Sequence, residues 1–161
     1  MVYVAMKGTI VLEELRKRLL DAEHRHTKLI LLVGGTAQAR TALLHALHAE
    51  QLAPPLHLGI SLANALAELP QRERHLQTGN QLRAIAQSHA PSGPLLIDGV
   101  EILFDSSLRV NALDLLKRQS LARPVVAAWP GDWRNGRLTY ATLGHPEHQD
   151  HAADGVIIFD I

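Results

Sequence analysis

The sequence predicts an α/β fold, a three-layer sandwich with a mostly parallel five-stranded sheet between helices. Three observations carry this. Strand-like and helix-like segments alternate along the chain, the order that builds parallel sheets. The strands are continuously apolar rather than alternating, as in Leu29-Ile30-Leu31-Leu32-Val33, which is the pattern of strands covered on both faces. Apolar residues make up 47% of the 161 but aromatics only 4%, so the core must be built from Leu, Ala, Val and Ile. This length fits one domain with a proper core, and residues 1–161 are assigned to a single unit: an N-terminal helix over about 9–23, then the core over about 28–161.

Each element has its own signal. Thr9 is a candidate N-cap, followed by Val11, Leu12, Leu15, Leu19 and Leu20 at helical spacing. Residues 28–33 read as a buried strand and 41–50 as a helix, ended by Pro54-Pro55. Leu56 to Ile60 reads as a short strand, and Ser61 is placed to cap a helix that Pro70 stops after Leu69. Residues 71–78 are polar and charged, either a linker or a helical extension, with Gly79 as punctuation before a helix over 81–89. Pro94-Leu95-Leu96-Ile97-Asp98 is a third strand, Leu108 to Gln119 an amphipathic helix, and 124–129 a fourth strand halted by Pro130-Gly131. Residues 137–141 read as a short strand and 155–160 as the last one.

Composition removes several classes of function. Lys plus Arg and Asp plus Glu balance at 16 each, which argues against a generic nucleic-acid coat while leaving a local basic patch open. There is no Cys, hence no disulfide framework and no thiolate metal site. Apolar runs reach about five to eight residues, far short of the roughly 20 that span a bilayer. Met1 to Ile10 has no long apolar stretch of the kind that marks a secretion signal. The expectation is a cytoplasmic protein without a membrane partner.

The strongest chemical signal is Val33-Gly34-Gly35-Thr36-Ala37-Gln38-Ala39-Arg40-Thr41. Strand, glycine turn and helix follow one another with the registration of the phosphate-binding P-loop, G-x-x-x-x-G-K-[ST]. Gly34 takes the first glycine position and Thr41 the Ser/Thr, whose hydroxyl ligates Mg²⁺ in such sites. Ala39 stands in the second glycine position, where a positive φ would strain it. Arg40 stands in the lysine position, and its planar fork does not replace a compact ammonium. Residues 34–41 are therefore the candidate nucleotide-binding segment, for ATP with Mg²⁺. Asp98, ending an apolar strand, is the candidate second Mg²⁺ partner beside Thr41. Hydrolytic relatives place a Glu directly after such an Asp, but Gly99 follows here. Glu101 is the candidate catalytic acid, with Asp105 as the alternative and a plain surface acid as the competing reading. Asp132, beyond the fourth strand, is the candidate γ-phosphate sensor. Arg72, Arg74, Arg134 and Arg137 are candidates for fingers acting across a subunit interface, or simply solvated. His145-Pro146-Glu147-His148-Gln149-Asp150-His151 is read as a polar loop in preference to a metal site, because its spacing matches no rigid ligand signature.

Strand-GGTAQART-helix, LLIDGVEILF and the tail WPGDWRNGRLTYATLGHPEH together resemble the BrxF-like small P-loop proteins of type 3 BREX phage-defence systems. The resemblance spans roughly residues 9–161, and the WPG…LTYA…GHPE run is its most specific part. It implies an AAA-like (ASCE) P-loop NTPase core without a lid domain. It also implies service beside a large ATPase, a DNA methyltransferase and an alkaline-phosphatase-like protein. Relatives of this core often form rings, so a homo-oligomer is implied too. Two functions remain in view: a P-loop component that binds nucleotide through residues 34–41 and hydrolyses it weakly if at all, and a non-hydrolytic assembly or binding module that scaffolds the complex or contacts DNA.

Overall fold

The computed structural model describes residues 2–26, 28–48 and 52–161. Its elements in chain order are α1 (Val2–Ala22), β1 (Leu29–Val33), α2 (Ala37–His48), β2 (Leu56–His57), α3 (Leu58–Ala67), α4 (Gln71–His89) and β3 (Leu95–Asp98). Two 3₁₀ turns follow, Val100–Phe104 and Ser106–Leu108. Then come α5 (Ala112–Gln119), β4 (Val125–Ala128), β5 (Asp132–Arg134), β6 (Arg137–Tyr140), β7 (Gln149–Ala152) and β8 (Ile157–Asp160).

Five strands form one parallel sheet in the order β2-β3-β4-β1-β8. Their apolar runs are read by both faces, because side chains alternate across a strand. Leu29, Leu31 and Val33 enter one core with Leu95, Ile97, Val125 and Ala127, beneath α3, α4 and α5. Ile30 and Leu32 enter the other with Leu96, Val126 and Ala128, beneath α1 and α2. All five residues of β1 are buried, as expected of a central strand between two helical layers. The α/β class and the five-stranded parallel sheet are thus as the sequence predicts. No helix among the described residues is long and apolar enough to cross a membrane.

Several boundaries differ from the sequence reading, each for a local reason. The first helix begins at Val2, so Thr9 lies within it and is not its cap. The second begins at Ala37 instead of 41, because Thr36 caps it: Thr36 Oγ1 accepts the Ala39 N–H at 3.0 Å, leaving the good helix formers Ala-Gln-Ala-Arg to make the first turn. The helix runs to His48, and the expected extension over 49–50 lies outside the described residues. β2 is only two residues long, since His57 takes the cap that Ser61 was expected to supply; His57 Nδ1 accepts the Ile60 N–H at 3.3 Å. Residues 71–78 are helix, and α4 continues through Gly79 without interruption. Buried Thr78 turns its hydroxyl back onto the Arg74 carbonyl at 2.8 Å. The fifth helix starts at Ala112 rather than Leu108: Arg109 adopts a left-handed conformation (φ 53°), and Asn111 Oδ1 accepts the Asp114 N–H at 2.8 Å as the cap.

The largest departure is a second, antiparallel sheet in the order β5-β6-β7. Asn135 (φ 52°) and Gly136 (φ 74°) form its tight turn; two positive φ values in an Asn-Gly pair are the signature of a two-residue hairpin. This sheet is fastened to the main one by aromatic contacts. Trp129, buried just after β4, donates its indole N–H to the Thr139 carbonyl at 3.2 Å. Phe104 stacks on Tyr140 at 4.0 Å and meets Trp129 edge-on at 5.3 Å. Gly131 is required here, because a Cβ would overlap the Thr139 carbonyl. Gln149 bridges to α5, donating to the Val110 carbonyl at 3.0 Å and accepting the Ala112 N–H at 3.1 Å.

Candidate functional site

Ligands of open parallel sheets collect at the carboxyl ends of the strands, and the residues singled out in the sequence converge there. Val33, Asp98 and Asp160 end β1, β3 and β8, and Trp129 follows β4. Gly34 and Gly35 turn the chain out of β1 with φ values of 77° and 58°, a conformation glycine adopts without steric cost. Only Gly34, Gly35 and Thr36 separate β1 from α2. Ala37, Gln38, Ala39 and Arg40 belong to the first turn of the helix, so the expected strain at Ala39 does not arise.

Thr41 and Asp98 do meet. Thr41 Oγ1 donates to Asp98 Oδ2 at 2.6 Å, joining α2 to the tip of β3. The other carboxylate oxygen accepts the Gly99 N–H at 2.9 Å. Short hydroxyl–carboxylate bonds of this kind are among the strong ones. Gly99 takes φ 66°, and a Cβ there would sit 2.5 Å from the His57 ring. The pairing of β2 with β3 sets His57 opposite Asp98. A hydroxyl and a carboxylate are oxygen donors suited to Mg²⁺.

The phosphate side differs from the expectation. Arg40 turns back along the loop and donates Nη1 to the Gly34 carbonyl at 2.7 Å. Val33 and Asp160 are register partners in β1 and β8. This brings the Asp160 carboxylate against Gly34, where a Cβ would collide with it. A cavity of about 340 Å³ beside the loop is lined by Gly34, Gly35, Arg40, Asp132, Trp133 and Asp160 among others. Asp132 thus shares this cavity with the glycine turn. With two carboxylates to one guanidinium, the cavity is poorly suited to a polyphosphate. At the start of α2 the Ala39 N–H is taken by Thr36 Oγ1 and the Arg40 N–H by the Thr36 carbonyl, which leaves fewer N–H groups to meet an anion than a wrapped P-loop offers. The Thr41–Asp98 pair fits a magnesium ion, whereas this loop does not fit a triphosphate.

Glu101 lies elsewhere. It is exposed on the first 3₁₀ turn and does not line the cavity. Its charge acts instead on Tyr140, whose phenol is raised above its ordinary pKa mainly by burial, then by Glu147 and Glu101. Asp105 is committed to capping, accepting both the N–H and the hydroxyl of Ser107 at 2.9 and 2.7 Å. Arg137 pairs with Asp150 at 2.9 Å across the small sheet, and Arg74 donates to the Leu69 carbonyl at 3.2 Å. Arg72 and Arg134 are exposed.

The histidine-rich segment divides. His145 accepts the Glu147 N–H at 3.0 Å and His148 contacts the Ala141 carbonyl at 3.1 Å, both in the loop. His151 lies in β7, edge-on to Trp129 and 2.8 Å from Gln149 Oε1. Burial lowers its pKa, outweighing the opposite pull of Asp150. Among the described residues no three His, Asp or Glu side chains converge as a metal site.

Sequence reasoning missed Asp160 and His57. Asp160 carried a signal, since it ends an apolar strand just as Asp98 does, but only the strand order places it beside Gly34. His57 ends the short strand β2 and also caps α3, a double role that the apolar pattern around it does not signal. By sequence, the chain matches no protein-family model and no curated protein.

Proposed function

We propose that the chain is a small P-loop-NTPase-like domain, with an AAA-like core and no lid, that serves a BREX-type phage-defence assembly as a non-hydrolytic binding module. One observation carries the first half of this reading: the 2.6 Å hydrogen bond from Thr41 to Asp98. It couples the helix after a glycine turn to an acid-tipped strand within the order β2-β3-β4-β1-β8. In P-loop enzymes the corresponding hydroxyl and acid hold Mg²⁺. Support for the defence setting is the residue pattern of the tail, which in this fold builds the aromatic dock of the small sheet. Its partners would be the large ATPase, the methyltransferase and the phosphatase-like protein of such a system, with further copies of the chain as a ring.

Three features favour a module over an engine. Gly99 replaces the water-polarising acid, Glu101 stands away from the loop cavity, and Asp160 lies where phosphate oxygens would approach. Calorimetric titration with ATP and Mg²⁺, read beside phosphate release and the molar mass in solution, tests the proposal. No turnover and no binding tighter than millimolar are expected. Micromolar binding with phosphate release that Asp98→Ala abolishes would overturn it and restore the ATPase reading.

A further inference from the structure

A second site lies at the opposite end of the parallel strands and does not depend on any nucleotide reading. The segment 120–124 leads into the start of β4, whereas the glycine turn follows the end of the parallel strand β1. Between α4 and that segment runs a groove of about 460 Å³. Its polar lining is Asn80, Arg83, Gln87, Arg118, Gln119 and Arg123. Among the described residues lining it there is neither a carboxylate nor an aromatic ring. In a chain whose charges sum to zero, three guanidinium groups on one groove are a strong local concentration of positive charge.

The donors are held in place. Arg123 donates to the Ala90 carbonyl and, at 3.3 Å, to Gln87 Oε1. Arg83 donates to Asn80 Oδ1 at 3.1 Å. Arg118 pairs with Asp114 at 2.9 Å from outside the lining, but both side chains are largely solvated, so a phosphate competes with that pair at little cost. Asn80, Arg83 and Gln87 follow one another at helical spacing along α4. At about 1.5 Å per residue this row is about 10 Å long, the length over which one strand of a duplex presents about three phosphates. Guanidinium and amide donors suit phosphate oxygens. Without an aromatic ring to stack on, bases would not be read.

We infer that this groove binds the phosphate backbone of a nucleic acid without regard to sequence. Fluorescence anisotropy with a labelled 20-base-pair duplex, and a single strand of equal length, measures it across a salt series. The double variant Arg83→Gln/Arg118→Gln is compared with Lys17→Gln/Arg18→Gln, which removes the same charge from α1 on the other face and likewise leaves an i,i+4 acid, Glu14, without its partner. The natural chain is expected to bind both probes. The groove variant should lose about tenfold or more at low salt, and its slope of log K against log salt should flatten by about 2, at roughly 0.9 per contact. The α1 variant should stay within about twofold. Because replacing Arg118 frees Asp114, Arg83→Gln is also measured alone, with a slope change of about 1 expected. Equal losses in groove and control variants, no binding by the natural chain at 50 mM salt, or tighter binding of poly-glutamate than of DNA would each overturn the assignment.

Discussion

Replacing Thr41 by valine tests the contact on which the proposed site turns. Valine keeps the shape of threonine and removes the hydroxyl, so Asp98 Oδ2 loses the partner it holds at 2.6 Å. The bond is partly buried and its acceptor is a carboxylate, a class worth about 1.5–3 kcal/mol. The remaining oxygen keeps the Gly99 N–H at 2.9 Å, so the carboxylate is not orphaned and the lower half of that range, about 1.5–2 kcal/mol, is the expected loss. A domain of this size shifts its melting temperature by about 2–4 °C per kcal/mol, which predicts a fall of roughly 3–8 °C in a calorimetric melt. A double-mutant cycle with Asp98→Asn isolates the pair, and a coupling of about 1 kcal/mol or more is expected because the residues touch. If Thr41→Val melts with the natural protein and the cycle gives no coupling, the two side chains do not meet, and the magnesium half of the proposal falls with them.

Three more substitutions probe the remaining parts of the reasoning. Gly99→Ala should destabilise by about 2–4 kcal/mol in a denaturant melt, since alanine must take φ 66° and its Cβ would crowd the His57 ring; a loss below about 0.5 kcal/mol would show that β2 is free to shift. His151 has its pKa lowered by burial, so the unfolded chain takes up a proton first as pH falls, and folding stability contributed by the neutral ring is present above pH 6.5 and lost below it. His151→Gln should therefore flatten the fall in stability below about pH 6.5, and an unchanged slope refutes the half-buried placement. The triple variant Ala39→Gly/Arg40→Lys/Asp160→Asn removes the carboxylate from Gly34 as well as restoring the loop residues, and it is expected to bind ATP more tightly than Ala39→Gly/Arg40→Lys alone. Equal affinities by calorimetry would clear Asp160 of the obstruction assigned to it.

Much of this architecture is legible in the chain because buried parallel strands announce themselves. Leu29 to Val33, Leu95 to Ile97 and Val125 to Ala128 are apolar at every position, the pattern of strands covered on both faces. Capping was harder to read. Thr36, His57 and Asn111 each start a helix through one side-chain acceptor, whereas the spacing of leucines places a helix only to within a turn. Of the small sheet only the central strand is legible, as the short strand over 137–141; its neighbours β5 and β7 are three or four residues long and largely polar, even though Asn135-Gly136 is a strong hairpin signal. Thr41 and Asp98 were paired correctly from motif order alone. Of the two readings of Glu101, catalytic acid and plain surface acid, its exposed place on a 3₁₀ turn after left-handed Gly99 agrees with the second.

The glycine turn has a structural role that holds whatever the protein does. A parallel sheet needs a short connection from β1 to α2 whatever the protein does, and Gly34, Gly35 and the cap Thr36 make one. A phosphate cradle needs more: a longer loop whose N–H groups point inward, and a cation left free to meet the ligand. At the helix start Thr36 takes the Ala39 N–H through its hydroxyl and the Arg40 N–H through its carbonyl, and the Gly34 carbonyl engages the Arg40 guanidinium. The Asp160 carboxylate then stands on the vacated side of Gly34. These three changes support one another, since a shorter loop leaves room for the acid and the acid repels a polyphosphate. The Thr41–Asp98 bond, by contrast, stabilises the fold with or without a ligand, because it ties the first helix of the core to a neighbouring strand. The pair is therefore compatible with a loop that cradles no phosphate, as the proposed module requires.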